Sequence, residues 1–249
     1  MVGVKNMTEV EKRIAKRKRE LAVNIIFTII VAFLAYWMIS TMFFQGSYEP
    51  DPSLMINYDL SKDRIPDPKQ KVIKPDYVYT NKYTVDIKIK KLATYDITGK
   101  VEGIKDFSTN FLSNFFSLDA GEVTKYISPR DLALSWGDIA LDENTNSIQA
   151  NQYFHNSQRV VQWAWSSRLQ KKYQEEYIRT HISNIHIITL DPGLTKQLKK
   201  IKVTDVVRII GYLVDVDASN GYHWGPSSMV RNDTGCEIIR AEEIIIMPK

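Results

Sequence analysis

The longest apolar run in the chain lies near its N-terminus. Residues 21–44 carry no formal charge and include only a few polar side chains. A helix of this length spans about 36 Å at about 1.5 Å per residue, whereas the hydrocarbon core of a bilayer is about 30 Å thick. A buried helix of a globular domain would show a polar stripe or a shorter apolar run. The pattern therefore predicts a transmembrane helix over 21–44.

The charges beside this run predict its orientation. Residues 1–20 contain seven Lys or Arg and three Glu, whereas the first cation after the run is Lys62. Cytoplasmic flanks of membrane helices are enriched in Lys and Arg. A cleaved signal would have a shorter apolar stretch and small residues at its exit, where this chain has Phe43 and Phe44. We therefore predict a basic cytoplasmic tail over 1–20 and an uncleaved anchor that spans the lipid bilayer.

Proline marks the segment that follows. Residues 45–82 hold five of the nine prolines of the chain. Proline interrupts helices, so this segment is predicted to run extended as a linker between the membrane and a domain over 83–249. The linker carries several tyrosines, including Tyr77 and Tyr79. An extended segment of this kind more often packs on its own domain than on a partner.

The first half of the domain shows mainly the alternation that is typical of strands. Val85, Ile87 and Ile89 alternate with polar residues, and 95–101 is predicted to form a partner strand. Ser128, followed by a proline and an acidic residue, indicates the start of a short helix that reaches Trp136. The next predicted elements are a polar loop over 142–158, a strand over 159–165 and a polar helix over about 169–179.

The last third favours a bent sheet. Gly211 lies within a strand predicted over 203–216, where it would mark a bend, and Asn220 with Gly221 predicts a hairpin turn. The other predicted elements are a strand over 183–190, a helix over 191–200, a strand over 222–230, and a final strand over 236–247 that bends near 240–243. We predict an α+β domain with a strongly bent antiparallel sheet that resembles small OB-like barrels.

Composition and charge exclude several classes of protein. Cys236 is the single cysteine, which excludes an internal disulfide and a site built from several thiolates. The net charge of +4 belongs to the N-terminal tail, because the remaining 229 residues carry 26 basic and 26 acidic side chains. A neutral domain outside the cytoplasm is not expected to bind nucleic acid. The chain also lacks the Walker-type and Gly-x-Gly-x-x-Gly phosphate cradles, so no cofactor is predicted.

Several short motifs together carry a resemblance. They are SPRDLALSWG (128–137), HISNIHII (181–188), GYLV (211–214), SS (227–228) and RNDTGCE (231–237). In this combination the chain is similar to a family of uncharacterised bacterial envelope proteins, each with one N-terminal span and a domain outside it. The resemblance covers about residues 128–237 and implies an inner-membrane location with a periplasmic domain. It implies no activity.

The candidate chemistry centres on Cys236. A thiol nucleophile needs a base within hydrogen-bond reach, which His181 or His186 could supply together with Asp233. The alternative is a buried cysteine that acts as a small hydrophobe, which is the more common state of a free thiol. A metal site would draw on His155, His181, His186 and His223. No pair of these has helical spacing, and His181 and His186 would face opposite sides of a strand, so no metal is predicted.

Two further sets of residues have a structural and a functional interpretation. Arg130, Asp131, Arg231 and Asp233 are predicted to form a buried charge network that fixes loops, rather than a catalytic pair. Aromatic side chains could form a binding platform like that of OB-like barrels, although packing in the core is the default interpretation. They are Trp163, Trp165, Tyr212, Tyr222 and Trp224.

Three functional hypotheses follow from these features. The favoured one is a binding protein without enzymatic activity, a subunit of an envelope-spanning assembly such as a secretion, pilus or motility machine, with other envelope proteins as partners. The second is a membrane-tethered hydrolase or thiol-dependent enzyme that uses Cys236. The third is a module that binds cell-wall glycan.

Overall fold

The structure is a computed structural model, and it describes residues 23–32, 64–82, 84–107, 120–141, 147–155, 158–229 and 236–247. The chain divides into two compact units, Met1–Ser47 and Tyr48–Lys249. In the first unit, residues 23–32 are helical, and the rest of the predicted span over 21–44 lies outside the described residues. No helix among the described residues has both the length and the apolar character needed to cross a membrane.

The second unit is an α+β domain in which strands predominate. Its strands are β1 (Lys69–Lys82), β2 (Val85–Asp106), β3 (Arg130–Ser135), β4 (Ile148–His155), β5 (Gln158–Trp165), β6 (Ile182–Ile188), β7 (Val206–Ala218), β8 (His223–Trp224) and β9 (Cys236–Ile246). Its α-helices are α1 (Ala120–Ile127), α2 (Ser167–Lys172), α3 (Glu175–Arg179) and α4 (Pro192–Lys200), and Asp138–Leu141 forms a 3₁₀ helix.

Five of the strands pair in a closed ring. The order is β2, β3, β6, β9 and β7, and β7 pairs again with β2. Strand β2 joins both ends of this order because it is 22 residues long and changes register at two places, between Lys91 and Ala93 and between Val101 and Gly103. Such bulges bend a strand and increase its twist. The ring encloses a core of apolar side chains, and Leu194 and Leu198 of α4 pack against that core.

Glycine permits a second bend in the ring. The register between β7 and β9 shifts between Ile210 and Gly211, which leaves Glu242 unpaired in the ladder. A Cβ atom on Gly211 would lie 2.2 Å from the Arg240 carbonyl oxygen. The bend that the sequence predicted near 240–243 is therefore present, at a place where no larger residue fits.

A separate hairpin covers one side of the ring. Strands β4 and β5 pair only with each other among the described strands. Strand β4 approaches β2 so closely that a Cβ atom on Gly103 would lie 3.0 Å from the Ala150 Cβ. A small apolar cluster, Ile139, Ile148, Leu169, Ile178 and Ile182, joins the hairpin to helices α2 and α3.

Several predicted elements differ from the structure. The residues after Ser128 form β3 rather than a helix, because this strand is buried on both faces and shows no alternation. Residues 85–89 and 95–101 belong to the single strand β2, and the predicted loop over 142–158 contains β4. The polar helix over 169–179 is two short helices, and the strand after Gly221 is limited to His223–Trp224. The sheet is not wholly antiparallel, since β6 and β9 are parallel.

The end of the predicted linker is part of the domain. Strand β1 pairs with β2 along most of its length, although it falls within the segment predicted as 45–82. Before it, Ile65 is fully buried in the core of the ring and accepts a backbone hydrogen bond from Gly137 at 3.0 Å. The proline spacing correctly excluded a helix here, but apolar positions such as Ile65 allow the extended chain to pack.

Candidate functional site

Polar side chains fill the space between the ring and the β4–β5 hairpin. On the outer face of the ring, Asp131 of β3 lies opposite His186 of β6, and Ala133 lies opposite Asn184. The hairpin contributes side chains from its inner face, and the loop before β3 contributes a serine. We call this set the polar layer: Ser128, Asp131, Gln152, Arg159, Asn184 and His186. All six residues are buried.

Arg159 is the centre of the polar layer. Its Nη1 donates to Asp131 Oδ1 at 2.7 Å and to Ser128 Oγ at 3.1 Å, and its Nη2 donates to the Ser128 carbonyl oxygen at 2.8 Å. The guanidinium lies over the rings of Phe107 and Trp224, with its Cζ 3.8 Å and 5.2 Å from their centroids. Burial lowers the pKa of Arg159, and the attraction of Asp131 opposes this shift. These hydrogen bonds from Arg159 hold the β4–β5 hairpin against β3 and the loop before it.

His186 shares the Asp131 carboxylate. Its Nδ1 lies 2.8 Å from Asp131 Oδ2 as an ion pair, although the two atoms are not aligned for a hydrogen bond. Burial alone would lower the pKa of His186, but Asp131 and the nearby Cys236 together outweigh it and raise the pKa to about 9. At neutral pH the imidazole is therefore a cation, and Asp131 is flanked by two positive charges.

Cys236 lies at the edge of the polar layer. It starts β9 opposite Asn184, is half-buried, and its Sγ is 3.8 Å from Asn184 Nδ2. Asn184 Oδ1 in turn accepts from Gln152 Nε2 at 2.6 Å. The structure thus places His186, which is paired with Asp131, beside the thiol, whereas Asp233 lies outside the described residues.

His181 belongs to a different part of the domain. It stacks on Tyr177 with ring centroids 3.9 Å apart, and its Nδ1 is 2.7 Å from the Tyr177 carbonyl oxygen. Its Nε2 is 3.1 Å from Arg64 Nη2 and 3.5 Å from Asp67 Oδ1. His181 therefore fastens the segment before β1 to the domain and is not near Cys236.

The predicted charge network is divided in the structure. Arg130 does not pair with Asp131: it binds both Asp106 carboxylate oxygens, at 2.7 and 2.8 Å, and donates to the carbonyl oxygens of Leu198 and Ile201 at the end of α4. The two residues lie on opposite faces of β3, which explains why adjacent positions have separate partners. Arg231 and Asp233 lie outside the described residues.

The structure describes three of the four histidine side chains. His223 is on the surface, with its Nδ1 2.9 Å from Asp217 Oδ1, and the side chain of His155 lies outside the described part of the chain. Within the described ranges, no group of three His, Cys, Asp or Glu side chains is placed to hold a metal ion.

The candidate aromatic platform falls into two separate clusters. Trp163 and Trp165 pack against the apolar cluster beneath the hairpin. Tyr212, Tyr222 and Trp224 pack against a second apolar cluster, which includes residues of α1. Trp224 also contacts His186, with ring centroids 5.3 Å apart. These five side chains are partly buried and support the core rather than share one open surface.

Open aromatic and basic side chains occur together elsewhere, on β1 and β2. Ile87 and Ile89 of β2 point inward, so Lys88 and Lys90 point outward with their cross-strand partners Tyr79 and Tyr77. Lys88 Nζ lies 4.4 Å from the centroid of the Tyr77 ring. We call this surface the β1 face, and it consists of Tyr77, Tyr79, Lys88 and Lys90.

The β1 face borders an open strand edge. Strand β1 is the end strand of the sheet, and no described strand pairs with its other side. Among the described residues of the domain, five large apolar side chains are exposed, and Val72, Tyr77 and Tyr79 of β1 are three of them. A groove of about 760 Å³ lies beside this edge, and its lining includes Tyr79, Asp86, Lys88 and Asp217. Exposed apolar groups beside unpaired backbone are typical of a binding surface.

Two features that matter here were not predicted from the sequence. Arg159 alternates in phase with Val161, Trp163 and Trp165, so its inward direction could have been predicted from the pattern. Its partner Asp131 is 28 residues away, and nothing in the pattern links the two. The open edge of β1 was missed because the segment was interpreted as a linker.

Comparison with protein-family models, curated proteins and solved structures found no match to this chain.

Proposed function

We propose that this protein is a single-pass protein of the bacterial inner membrane whose second unit binds other envelope proteins in the periplasm. In this proposal, residues 21–44 span the bilayer, the basic tail over 1–20 is cytoplasmic, and the protein is a structural or accessory subunit of an envelope-spanning complex. The apolar run, its flanking charges and the resemblance to envelope proteins support the location.

One observation carries the binding role. Strand β1 combines exposed Val72, Tyr77 and Tyr79 with an edge that no described strand covers. By contrast, the charged residues most often found in catalytic sites, such as Asp131 and Arg159, are buried in an ion pair. A site that performs chemistry needs access for a substrate, and the polar layer is closed by the hairpin. A surface that recognises a partner needs exposed apolar and polar groups, which β1 provides.

The OB-like interpretation is also part of this proposal. Three consecutive strands of the ring, β2, β3 and β6, are followed by β7, which returns to pair with β2. This connection is that of a Greek key, and OB-like domains are five-stranded Greek-key barrels. Barrels of this class bind their partners along exposed strands and loops, in agreement with a binding role.

The experiment that tests the proposal is purification of the full chain from detergent-solubilised membranes. We expect partner proteins in fixed stoichiometry after size-exclusion chromatography. A strictly solitary chain at every detergent concentration would contradict the binding role. Protease added to intact spheroplasts tests the location separately: the C-terminal unit should be digested, and protection of a membrane-bound C-terminal unit would exclude the proposed orientation.

A second candidate is a thiol-dependent enzyme. It is favoured by one observation, the placement of the half-buried Cys236 beside His186, which is paired with Asp131. Replacement of the thiol tests it directly. If Cys236→Ser leaves the cellular phenotype unchanged at equal protein level, this candidate is excluded, whereas loss of the phenotype with an intact complex would favour it over the binding role.

A further inference from the structure

The backbone of β1 has one side available for another strand. Tyr77 donates its backbone N–H to its neighbour's side chain, Asp76 Oδ1, at 2.9 Å. This N–H therefore points away from β2. In an antiparallel pair, alternate residues direct both backbone groups toward the partner or away from it. Tyr79 and Asn81 thus share the outward direction of Tyr77, and Val78 and Thr80 face β2.

The charge of β1 restricts what can bind there. The strand contains four lysines and one aspartate, a net charge of +3. Asp76 is paired with Lys91 of β2 at 2.9 Å, and Asp96, the nearest acid to Lys69 across the ladder, is bound by Arg208 at 2.8 and 2.9 Å. The acids on the far side of β2, Asp215 and Asp217, lie beside His223. Exposed Lys69, Lys71 and Lys74 thus leave the edge basic.

These observations separate three possible occupants. A second copy of β1 would bring another basic strand against the first, and like charges on neighbouring strands are destabilising. An anionic lipid surface would attract the lysines but could not pair with the outward backbone groups. An extended acidic peptide satisfies both requirements, because it supplies backbone partners and negative charge.

Resting on the proposed binding function, we propose that the outer edge of β1 receives an extended acidic segment of a partner protein as an additional strand. The segment pairs with the outward backbone groups of Tyr79 and Asn81 and with the Tyr77 carbonyl oxygen, a mode known as β-augmentation. Its acidic side chains meet Lys69, Lys71 and Lys74, and its apolar side chains contact Tyr77, Tyr79 and the groove that Tyr79 lines. Pro75 and the register shift beside it limit regular pairing to the part of the strand after Asp76.

Photo-cross-linking in native membranes tests the proposal. A benzophenone amino acid is placed at position 77 of the full chain and, as a matched control, at position 153, where an exposed tyrosine lies on the hairpin. Mass spectrometry then identifies the cross-linked peptide. The proposal expects an acidic segment of another protein, captured at position 77 and not at position 153. Capture of a second copy or of lipid, equal yields at both positions, or no product would overturn it.

Proline variants test the pairing of the backbone. Tyr79→Pro removes an outward N–H, whereas Thr80→Pro removes one that faces β2, and Tyr79→Ala removes only the side chain. Tyr79→Pro is expected to lower the yield at position 77 about tenfold, which corresponds to about 1.4 kcal/mol, and more than Tyr79→Ala does, while the unfolding midpoint stays near that of the wild type. Thr80→Pro serves as the control in which a hydrogen bond between β1 and β2 is lost, and it is expected to lower the unfolding midpoint. If Tyr79→Pro and Tyr79→Ala give the same yield, backbone pairing is excluded.

Failure of the strand-addition proposal can be distinguished from failure of the proposed binding function. If the Tyr79→Pro chain still purifies with its partners in fixed stoichiometry, the complex forms at another surface and only the strand-addition proposal fails. If the wild-type chain has no stoichiometric partner, the binding function itself fails.

Discussion

The polar layer and the β1 face use charged residues in opposite ways. In the polar layer, Arg159 and His186 are buried and are both paired with Asp131, so these charges hold the hairpin to the ring. On the β1 face, Tyr77 and Tyr79 are exposed beside Lys88, Lys90 and an open edge. The residue types most often found in catalytic sites are therefore structural in the polar layer. Lysines and tyrosines instead occupy the surface that we propose binds a partner protein.

The largest expected effect comes from removing the charge that the polar layer shares. Asp131→Asn leaves the cations of Arg159 and His186 buried without their counter-ion. Loss of one partner of a buried ion pair typically costs about 3–5 kcal/mol. We expect a loss of this size in urea unfolding of the full chain in detergent, followed by fluorescence. Asp86→Asn, at an exposed position, should change stability by less than about 0.5 kcal/mol. Similar effects for both would contradict the structural role of the layer.

The protonation of His186 predicts a pH dependence of stability. Its pKa is about 9 in the folded protein and about 6.5 when unfolded, so its proton stabilises the fold. This contribution is complete below about pH 6.5 and is lost as pH rises through about 9. Its size is about 3 kcal/mol, from about 1.4 kcal/mol per pKa unit. Unfolding measured from pH 6 to 10 should show this loss.

The matched control for this measurement is His223. The hydrogen bond to Asp217 raises the pKa of His223 in the same direction, but its side chain is half-exposed and screened by solvent. His223→Gln should retain the pH dependence of the wild type, and His186→Gln should flatten it. A His186→Gln chain with an unchanged pH profile would exclude the ion pair as its source.

A smaller effect is expected where the hairpin touches the ring. Gly103→Ala would place a Cβ 3.0 Å from both the Cβ and the carbonyl oxygen of Ala150. Overpacking of this kind typically costs about 1–3 kcal/mol. Adding Ala150→Gly to the same chain should recover part of the loss, because it removes one of the two contacts. If Gly103→Ala and the double variant have the same free energy of unfolding, the contact between Gly103 and Ala150 does not limit how closely the hairpin packs on β2.

The smallest effect on stability is expected on the β1 face. Tyr77→Ser and Tyr79→Ser alter exposed side chains and should change the free energy of unfolding by less than about 0.5 kcal/mol. The same variants should lose partner proteins during purification. This pattern is the reverse of that expected for Asp131→Asn, whose effect on binding should follow its effect on folding. If the tyrosine variants lose stability but keep their partner proteins, the β1 face is structural and is not the binding surface.

The elements that could be predicted from the sequence have one exposed face or a clear cap. Val85, Ile87 and Ile89 alternate as a half-buried strand does, and α4 begins with Asp191 as its cap, which accepts from the Leu194 N–H at 2.9 Å. Strand β3 was predicted as a helix because burial on both faces removes the alternation. Strand β4 was predicted as a loop because its polar residues, such as Gln152, bind inside the polar layer and not to solvent.

The site itself depends on pairings between distant residues. The sequence placed Asp131 and His186 among the candidates, but it paired Asp131 with Arg130 and assigned the histidines to Asp233. Register decides these pairings: Asp131 lies opposite His186 because β3 and β6 are antiparallel neighbours. Local patterns contain the period of a strand but not its register, so a close approach between residues 55 positions apart could not be derived from them.

Ile65 has a mechanical consequence for the proposed topology. The Ile65 side chain is fully buried in the ring, and its carbonyl oxygen accepts a hydrogen bond from Gly137. The linker between the end of the proposed span at 44 and the domain therefore has about 20 residues rather than 38. At about 3.3 Å per residue its greatest reach is about 65 Å. In the proposed topology, tension on this segment would act at Ile65 and at the Arg64–His181 contact before it reached β1, so the proposed binding edge would be shielded from it.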